Sequence, residues 1–569
     1  METVQEVERG WPIRPWLLAA VGAAAGLVFW FLVDMPGGAD PTSIRQASAA
    51  FVLVTTVSFL ITAERFRLSW AAAFALVWGA IIGMIGFYTA TYNFRGEIVE
   101  FPFLSALLAV GIAGPLFQVL RDCGRPALPY APLHRYVWDD AIIGAASLAF
   151  TGLTFLLAFL LAQLFDAIGV AVLKDLLDEG WFDWMLAGAA FGTASAILRE
   201  RAPLLATLQR LVTVIVSVLA PVFASALVLF LIALPATGLA GLWKSGVPET
   251  PLLLAVAAFA FIFLNAIIGG SPDDRSKGRL WRLTEIGLLG SVLPLGVLAF
   301  ISMSMRVDQY GWTPERLWGV IACGVAIAFG IANWLAFAMD QSRFDVRLRD
   351  YQKKLAVGVC GLALLLAMPI LDFGKISSRS QLARLESGKV SPAEFDWAAM
   401  AFDFGPSGRR ALSEIARNGS AETRSLASRV LESNQRFIVQ EDLRSASAEA
   451  GLDRQVRLAS PDIRLDPPLR RYIARSGQCA SPARCLLVRI DERRLALVSV
   501  HGDGRAVASS SMIDLDQVTA GKEPGQPASA IATPPVAAVS DLKSATVEVR
   551  DVQRRQIFLD GKPVGAPFE

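Results

Sequence analysis

Along residues 1–371 the chain alternates long apolar stretches with short polar ones, and the apolar stretches lack the polar stripe of a soluble surface helix. A helix rises 1.5 Å per residue, so crossing about 30 Å of hydrocarbon takes roughly 20 apolar residues. On that basis the pattern predicts eleven spans, at about 15–33, 47–62, 70–90, 103–120, 141–165, 181–198, 211–232, 252–270, 284–304, 318–339 and 355–371. The stretch 47–62 is short and begins among small polar residues such as Ser43 and Ser48. After Leu371 no apolar run is long enough to span. Helical spacing recurs at 380–386, 392–402, 406–417 and 420–436. Beyond about residue 455 the pattern turns β-like, with short runs at Cys485–Ile490, Leu495–Val500 and Val507–Met512 and a terminal hairpin, Ala545–Arg550 with Gln556–Leu559, expected to rejoin the sheet.

The fold class this predicts is an all-α polytopic membrane bundle of about eleven transmembrane helices, followed by a small extracytoplasmic α+β domain. Its parts are a transmembrane domain (1–371), a helical subdomain (372–454) and a β-rich subdomain (455–569), with a flexible Pro-, Ala- and Gly-rich segment at about 520–537.

Charge orients the bundle. Lysines and arginines of the N-terminal tail and alternate loops sum to 19 on one side and 6 on the other, the positive-inside bias that places the N-terminus in the cytoplasm. An odd number of crossings then sends the tail out of the cytoplasm. The flank Glu2, Glu6, Glu8 and Arg9 is too acidic for a signal peptide, so the first span is expected to stay attached. The basic loops with Arg275, Lys277, Arg279 and Arg282, and with Arg343, Arg347, Arg349, Lys353 and Lys354, are expected to anchor the topology beside anionic lipid.

Composition agrees. With 54% hydrophobic and 18% charged residues and a mean hydropathy of +0.47, the chain is too apolar for one soluble core. A net charge of +2, carried in short loops, gives no footing for nucleic acid. The expected partners are the lipid bilayer, with anionic lipid headgroups and periplasmic or membrane proteins as further candidates.

Candidate chemistry is sparse. The sequence lacks the Gly-x-Ser-x-Gly elbow, the phosphate-cradling Gly-rich loop and the His-Glu-x-x-His helix. No residue is nominated as catalytic, no metal site is expected because the only histidines are His134 and His501, and no cofactor is expected. Cys479 and Cys485, six apart in a Ser-, Gly- and Pro-rich loop, are a candidate disulfide suited to an oxidising compartment. Inside the spans the polar candidates are Asn265 and Asn333, read as interhelical hydrogen-bond partners ahead of substrate ligands. Pro115, Pro221 and Pro294 can kink their helices, and Gly79/Gly83 and Gly188/Gly192 fit close helix packing. Asp166 to Gly180, followed by Trp181, Phe182 and Trp184, reads as an interfacial helix, and the loop from Pro235 to Pro251 carries a similar apolar run ending in Leu242-Trp243-Lys244.

The most distinctive loop runs Arg306-Val307-Asp308-Gln309-Tyr310-Gly311-Trp312-Thr313-Pro314-Glu315-Arg316. Arg306, Tyr310, Thr313 and Arg316 are candidates either for gripping an anionic headgroup or for docking the soluble tail. This stretch resembles the bacterial domain-of-unknown-function 4153 family, whose members carry an Arg, Tyr-Gly-x-Thr and a second Arg here. The resemblance continues in Asp372-Phe373-Gly374-Lys375-Ile376-Ser377-Ser378-Arg379-Ser380-Gln381, with Leu385, Gly388 and Asp396, and in Gly408-Arg409-Arg410-Ala411-Leu412. It implies a multi-pass bacterial inner-membrane protein and no particular chemistry. Two readings stay open: a non-enzymatic envelope-assembly or sensing protein with a periplasmic interaction domain, and a transporter or lipid-handling protein with a path between kinked helices.

Overall fold

The computed structural model describes residues 11–34, 42–65, 67–91, 97–124, 128–238, 248–275, 278–433, 435–459, 462–479, 484–500, 508–519, 547–550, 555–559 and 561–568. The acidic N-terminal flank, Lys277, Leu242-Trp243-Lys244, His501, Val507 and the segment 520–537 lie outside the described residues. The chain divides into two compact units, one of Met1–Lys389 with Phe402–Ala411, the other of Val390–Ala401 with Leu412–Glu569.

The first unit is helical. It runs α1 (Arg14–Val33), α2 (Ser43–Thr62), α3 (Leu68–Thr91), α4 (Glu97–Cys123), α5 (Tyr130–Asp166), α6 (Val172–Leu177), α7 (Gly180–Glu200), α8 (Ala202–Thr237), α9 (Glu249–Ile268), α10 (Arg279–Tyr310), α11 (Pro314–Met339), α12 (Phe344–Ala367) and α13 (Phe373–Glu386). Nine of these, α1 to α5 and α8 to α11, are long and apolar enough to cross a membrane, which makes the chain a multi-pass membrane protein. The expected spans at 181–198 and 355–371 fall on α7 and α12, and charge lowers their hydropathy. The first eleven residues of α12, Phe344 to Lys354, include six charged side chains, and α7 carries Asp183 in its first turn and ends with Arg199-Glu200.

Small residues set the helix crossings. A Cβ on Gly188 of α7 would lie 2.0 Å from the Gly22 carbonyl oxygen of α1, and one on Gly192 would lie 2.2 Å from the Leu18 carbonyl. Only glycine permits this approach, so α1 and α7 run side by side over three turns. Gly79 and Gly83 of α3 receive α2 in the same way, against Thr55 and Ala47. Proline is accommodated by a neighbour at α10: Pro294 cannot donate to the Gly290 carbonyl, which accepts instead from Trp334 Nε1 at 3.3 Å. The main apolar core joins α8 to α12 through residues such as Leu264, Leu288, Leu295 and Phe344, and a second joins α2, α3, α4 and α12 around Ile82 and Ala109. Between α5 and α7, Lys174 of α6 pairs with Asp166 at 2.9 Å.

Ion pairs tie one set of helix ends. Arg14, at the start of α1, donates to the Ala63 carbonyl and to Glu64 (3.0 Å), just past the end of α2. Arg199, at the end of α7, pairs with Glu64 (3.2 Å) and with Asp140 (2.8 Å) ten residues into α5, and Gln118 near the end of α4 donates to the same Asp140. Arg121 of α4 donates to the Thr62 carbonyl at 2.6 Å. A second node forms where α9, α10 and α12 meet: Arg275 pairs with Glu285 (2.6 Å) and Asp345 (3.1 Å), while Arg349 pairs with Asp345 (2.6 Å) and donates to the Ile268 carbonyl (2.8 Å). Arg275 and Arg349, expected as lipid-facing anchors, are thus internal ties.

The second unit contains α14 (Trp397–Phe402, whose last residue joins the first unit), α16 (Ala421–Glu432), α17 (Arg436–Gln455), β1 (Val456–Leu458), α18 (Pro467–Ser476), β2 (Arg484–Arg489), β3 (Arg494–Val500), β4 (Ala508–Asp514), α19 (Leu515–Thr519), β5 (Val547–Arg550), β6 (Arg555–Leu559) and β7 (Lys562–Phe568); α15 (Gly405–Asn418) begins in the first unit and ends in the second. The first sheet has the order β1-β2-β3-β4, with β1 parallel to β2 and the rest antiparallel. Leu487, Leu495, Leu497 and Ile513 form its core with Leu469 and Ile473 of α18. The terminal hairpin does not rejoin that sheet. β5-β6-β7 forms a second sheet, in which β6 is central and β7 supplies a third strand absent from the sequence expectation.

Candidate functional site

The loop between α10 and α11 is built from its own caps. Gly311, at φ +76°, ends α10, and Thr313 Oγ1 accepts from Arg316 N at 3.3 Å to start α11. Arg316 Nη1 donates to the Gly311 carbonyl at 2.6 Å, and its guanidinium lies 5.4 Å from the Tyr310 ring centre. Arg306 pairs with Glu249, the first residue of α9, at 2.6 Å. Helix α13 then lies against the loop: Gln381 Nε2 donates to the carbonyls of Tyr310 (2.9 Å) and Trp312 (3.0 Å), Trp312 N donates to Ser380 Oγ (3.1 Å), and Arg384 Nη2 donates to the Gln309 carbonyl (2.6 Å). The four loop candidates therefore hold protein groups, and the loop receives α13, a helix of the same unit.

The two asparagines part company. Asn265 is satisfied, its Nδ2 donating to the Phe261 carbonyl at 2.8 Å and its Oδ1 lying 3.0 Å from the Tyr130 hydroxyl. Asn333 is fully buried, and neither its amide nitrogen nor its oxygen has a partner among the described residues. Cys479 and Cys485, in the second unit, are joined as a disulfide with Cα atoms 5.7 Å apart.

Apart from these candidates, the first unit holds two adjoining cavities, and none of the candidates lines either. The larger, about 350 Å³, lies among α4, α9, α10, α11 and α12 and is lined by Leu108, Phe261, Val292, Val325 and Leu362. Its polar lining residue, Ser105, donates to the Ala363 carbonyl at 3.0 Å. The smaller, about 180 Å³, lies at the ends of the helices and is lined by Tyr88, Pro314, Asp372, Phe404, Pro406 and Arg410, among others. Trp318 and Leu366 line both. The Trp318 ring is stacked on Phe101 at 5.7 Å and met edge-on by Phe373 at 5.6 Å. Neither asparagine lines either cavity.

The mouth is assembled from stretches far apart in sequence. Phe402–Ala411 belongs to the first unit although the residues on both sides of it belong to the second. A Cβ on Gly374 would lie 2.0 Å from the Phe404 carbonyl oxygen, so this glycine admits the segment. Asp372 fastens it: Oδ1 accepts from Lys375 N (2.8 Å) as the cap of α13, and Oδ2 accepts from Ser407 Oγ (2.7 Å) in α15.

The family described as Domain of unknown function (DUF4153) matches residues 49–415, more than half of the 569. The chain belongs to the DUF4153 family. The match takes in α3 to α13 and ends inside α15, so the residues named above that line the two cavities of this DUF4153 protein all lie within it. No curated protein and no solved structure matches the chain significantly. The mouth was partly legible in the sequence, because Asp372–Gln381 and Gly408–Leu412 are stretches of family resemblance. The larger cavity was not, since alanine, leucine and valine in a span carry no signal of a void beside them.

Proposed function

We propose that this DUF4153 membrane protein handles lipid, taking the hydrocarbon chain of an amphiphile into the cavity among α4, α9, α10, α11 and α12. The observation that carries this is an apolar cavity among apolar helices that shares Trp318 and Leu366 in its wall with a more polar cavity at the helix ends. A path for a polar solute would want unpaired polar groups along its wall, whereas Ser105 is bonded to backbone and the two asparagines lie elsewhere.

The orientation proposed with it is a cytoplasmic N-terminus, eleven crossings and a tail outside the cytoplasm, in a bacterial inner membrane. Supporting it are the 19 to 6 charge bias and the pattern of ties between helix ends. The start of α1 is bonded to the ends of α2 and α7, and the start of α12 to the end of α9, as alternating crossings that include α7 and α12 require. The disulfide suits an oxidising compartment. Reporter fusions at Lys353 and Gln435 are expected to lie in opposite compartments; the same compartment for both would refute eleven crossings.

Photo-crosslinking tests the cavity. A phospholipid with a diazirine near the end of its acyl chain is expected to label the α11 peptide containing Trp318 and Val325, and Ala322→Phe, which fills the cavity, is expected to abolish that labelling. Labelling of α11 that survives Ala322→Phe would contradict the reading. The alternative, a non-enzymatic assembly or sensing protein working through its tail, is favoured by one feature, the disulfide-tied mixed sheet of the second unit. In that case Ala322→Phe leaves cellular function intact.

A further inference from the structure

We infer that the polar mouth takes the phosphate of a phospholipid headgroup, with Arg410 as its cation; this deepens the chain-binding reading and rests on it. Arg410 is exposed and lines the smaller cavity. Its Nε donates to the Pro406 carbonyl at 3.3 Å and its Nη2 to Ser407 Oγ at 3.2 Å, which holds the guanidinium plane and leaves Nη1 for a ligand. No carboxylate lies within ion-pair distance of it among the described residues. Of the two cations expected to grip a headgroup, Arg306 is paired with Glu249, and Arg316 is bonded to Gly311 and stacked on Tyr310.

Asp372 is the acid in the same cavity, and both its oxygens are engaged, on Lys375 N and Ser407 Oγ. Those bonds draw its charge toward the caps of α13 and α15. The helices α11, α13 and α15 all begin at this cavity, where Pro314, Phe373 and Pro406 line it, so three positive dipole ends add to the arginine. Arginine in a fixed plane presents paired donors suited to a phosphate. The shared wall decides the source of that phosphate. Because the polar cavity and the apolar one adjoin at Trp318 and Leu366, the ligand that would fill both is an amphiphile, with its phosphate at Arg410 and its chain beyond Trp318.

Competition against the diazirine lipid, on the full-length protein in detergent, tests this. Phosphatidylglycerol is expected to displace the probe from α11 about tenfold better than diacylglycerol with identical chains. Arg410→Gln is expected to erase that preference while α11 labelling persists, and Arg410→Lys to keep part of it. Equal competition by the two lipids on the unmodified protein would overturn the headgroup assignment and leave the chain cavity standing, whereas absent labelling of α11 would remove both. Displacement of the probe by millimolar inorganic phosphate alone would assign Arg410 to a free anion and overturn the assignment too.

Discussion

Ion pairs fasten one end of the membrane unit far more densely than the other. At one end Arg14, Glu64, Arg199, Asp140 and Gln118 knit α1, α2, α4, α5 and α7 together, and Arg275, Glu285, Asp345 and Arg349 knit α9, α10 and α12. The Arg199 side chain is 6% exposed and Asp140 12%. Charges this deep must be paired, which makes the contacts all-or-none and this end a closed one. At the other end a single ion pair, Arg306 with Glu249, joins α10 to α9, and α13 meets the α10–α11 loop through single hydrogen bonds, most of them to backbone carbonyls, beside a cavity whose arginine has donors to spare. Such bonds are individually weak and can be remade. The tied end sets the helix arrangement, and the open end can receive a ligand without disturbing it.

Three substitutions break or sharpen this contrast. Arg199→Ala leaves the buried Asp140 without its cation, while Glu64 keeps Arg14, and is expected to cost about 3 kcal/mol, seen as a large fall in thermal unfolding temperature in detergent; a fall no greater than that of an exposed arginine such as Arg417 would show that the tied end is not held by charge. Gln381→Ala removes two donations at the open end and is expected to cost about 1 kcal/mol, measured in the same way. Ala322→Phe fills an existing void and is expected to leave the unfolding temperature unchanged or raised while abolishing lipid labelling. A drop comparable to that of Arg199→Ala would mean that the cavity is part of the rigid framework.

How far this was readable from sequence follows from the range of the contacts. The eleven apolar runs each fall on a long helix, two of them (252–270 and 355–371) running past its end, and Gly188 and Gly192 lie at a helix crossing, because length and residue size are local properties. The buried network was not readable, since Arg14 and Glu64 are 50 residues apart and Arg199 and Glu64 are 135. Arginines beside a span look alike whether they face lipid headgroups or a carboxylate on another helix. Arg306 and Arg316 stood out as candidates in a distinctive loop, but their partners, Glu249 and the Gly311 carbonyl, depend on tertiary packing. Arg410 entered through family resemblance only, because an arginine beside Arg409 in a polar tail has no local mark of a cavity. In the tail, α18 is ten residues long and β7 contains two prolines, so neither carries the periodicity of a regular element.

The most direct measurement is an experimental density map of the full-length protein in a phospholipid nanodisc. The account predicts elongated density between Phe261, Val292, Val325 and Leu362, passing Trp318 and ending in a compact feature at Arg410. A chamber closed by side chains, or one holding only isolated water-sized peaks, would contradict it.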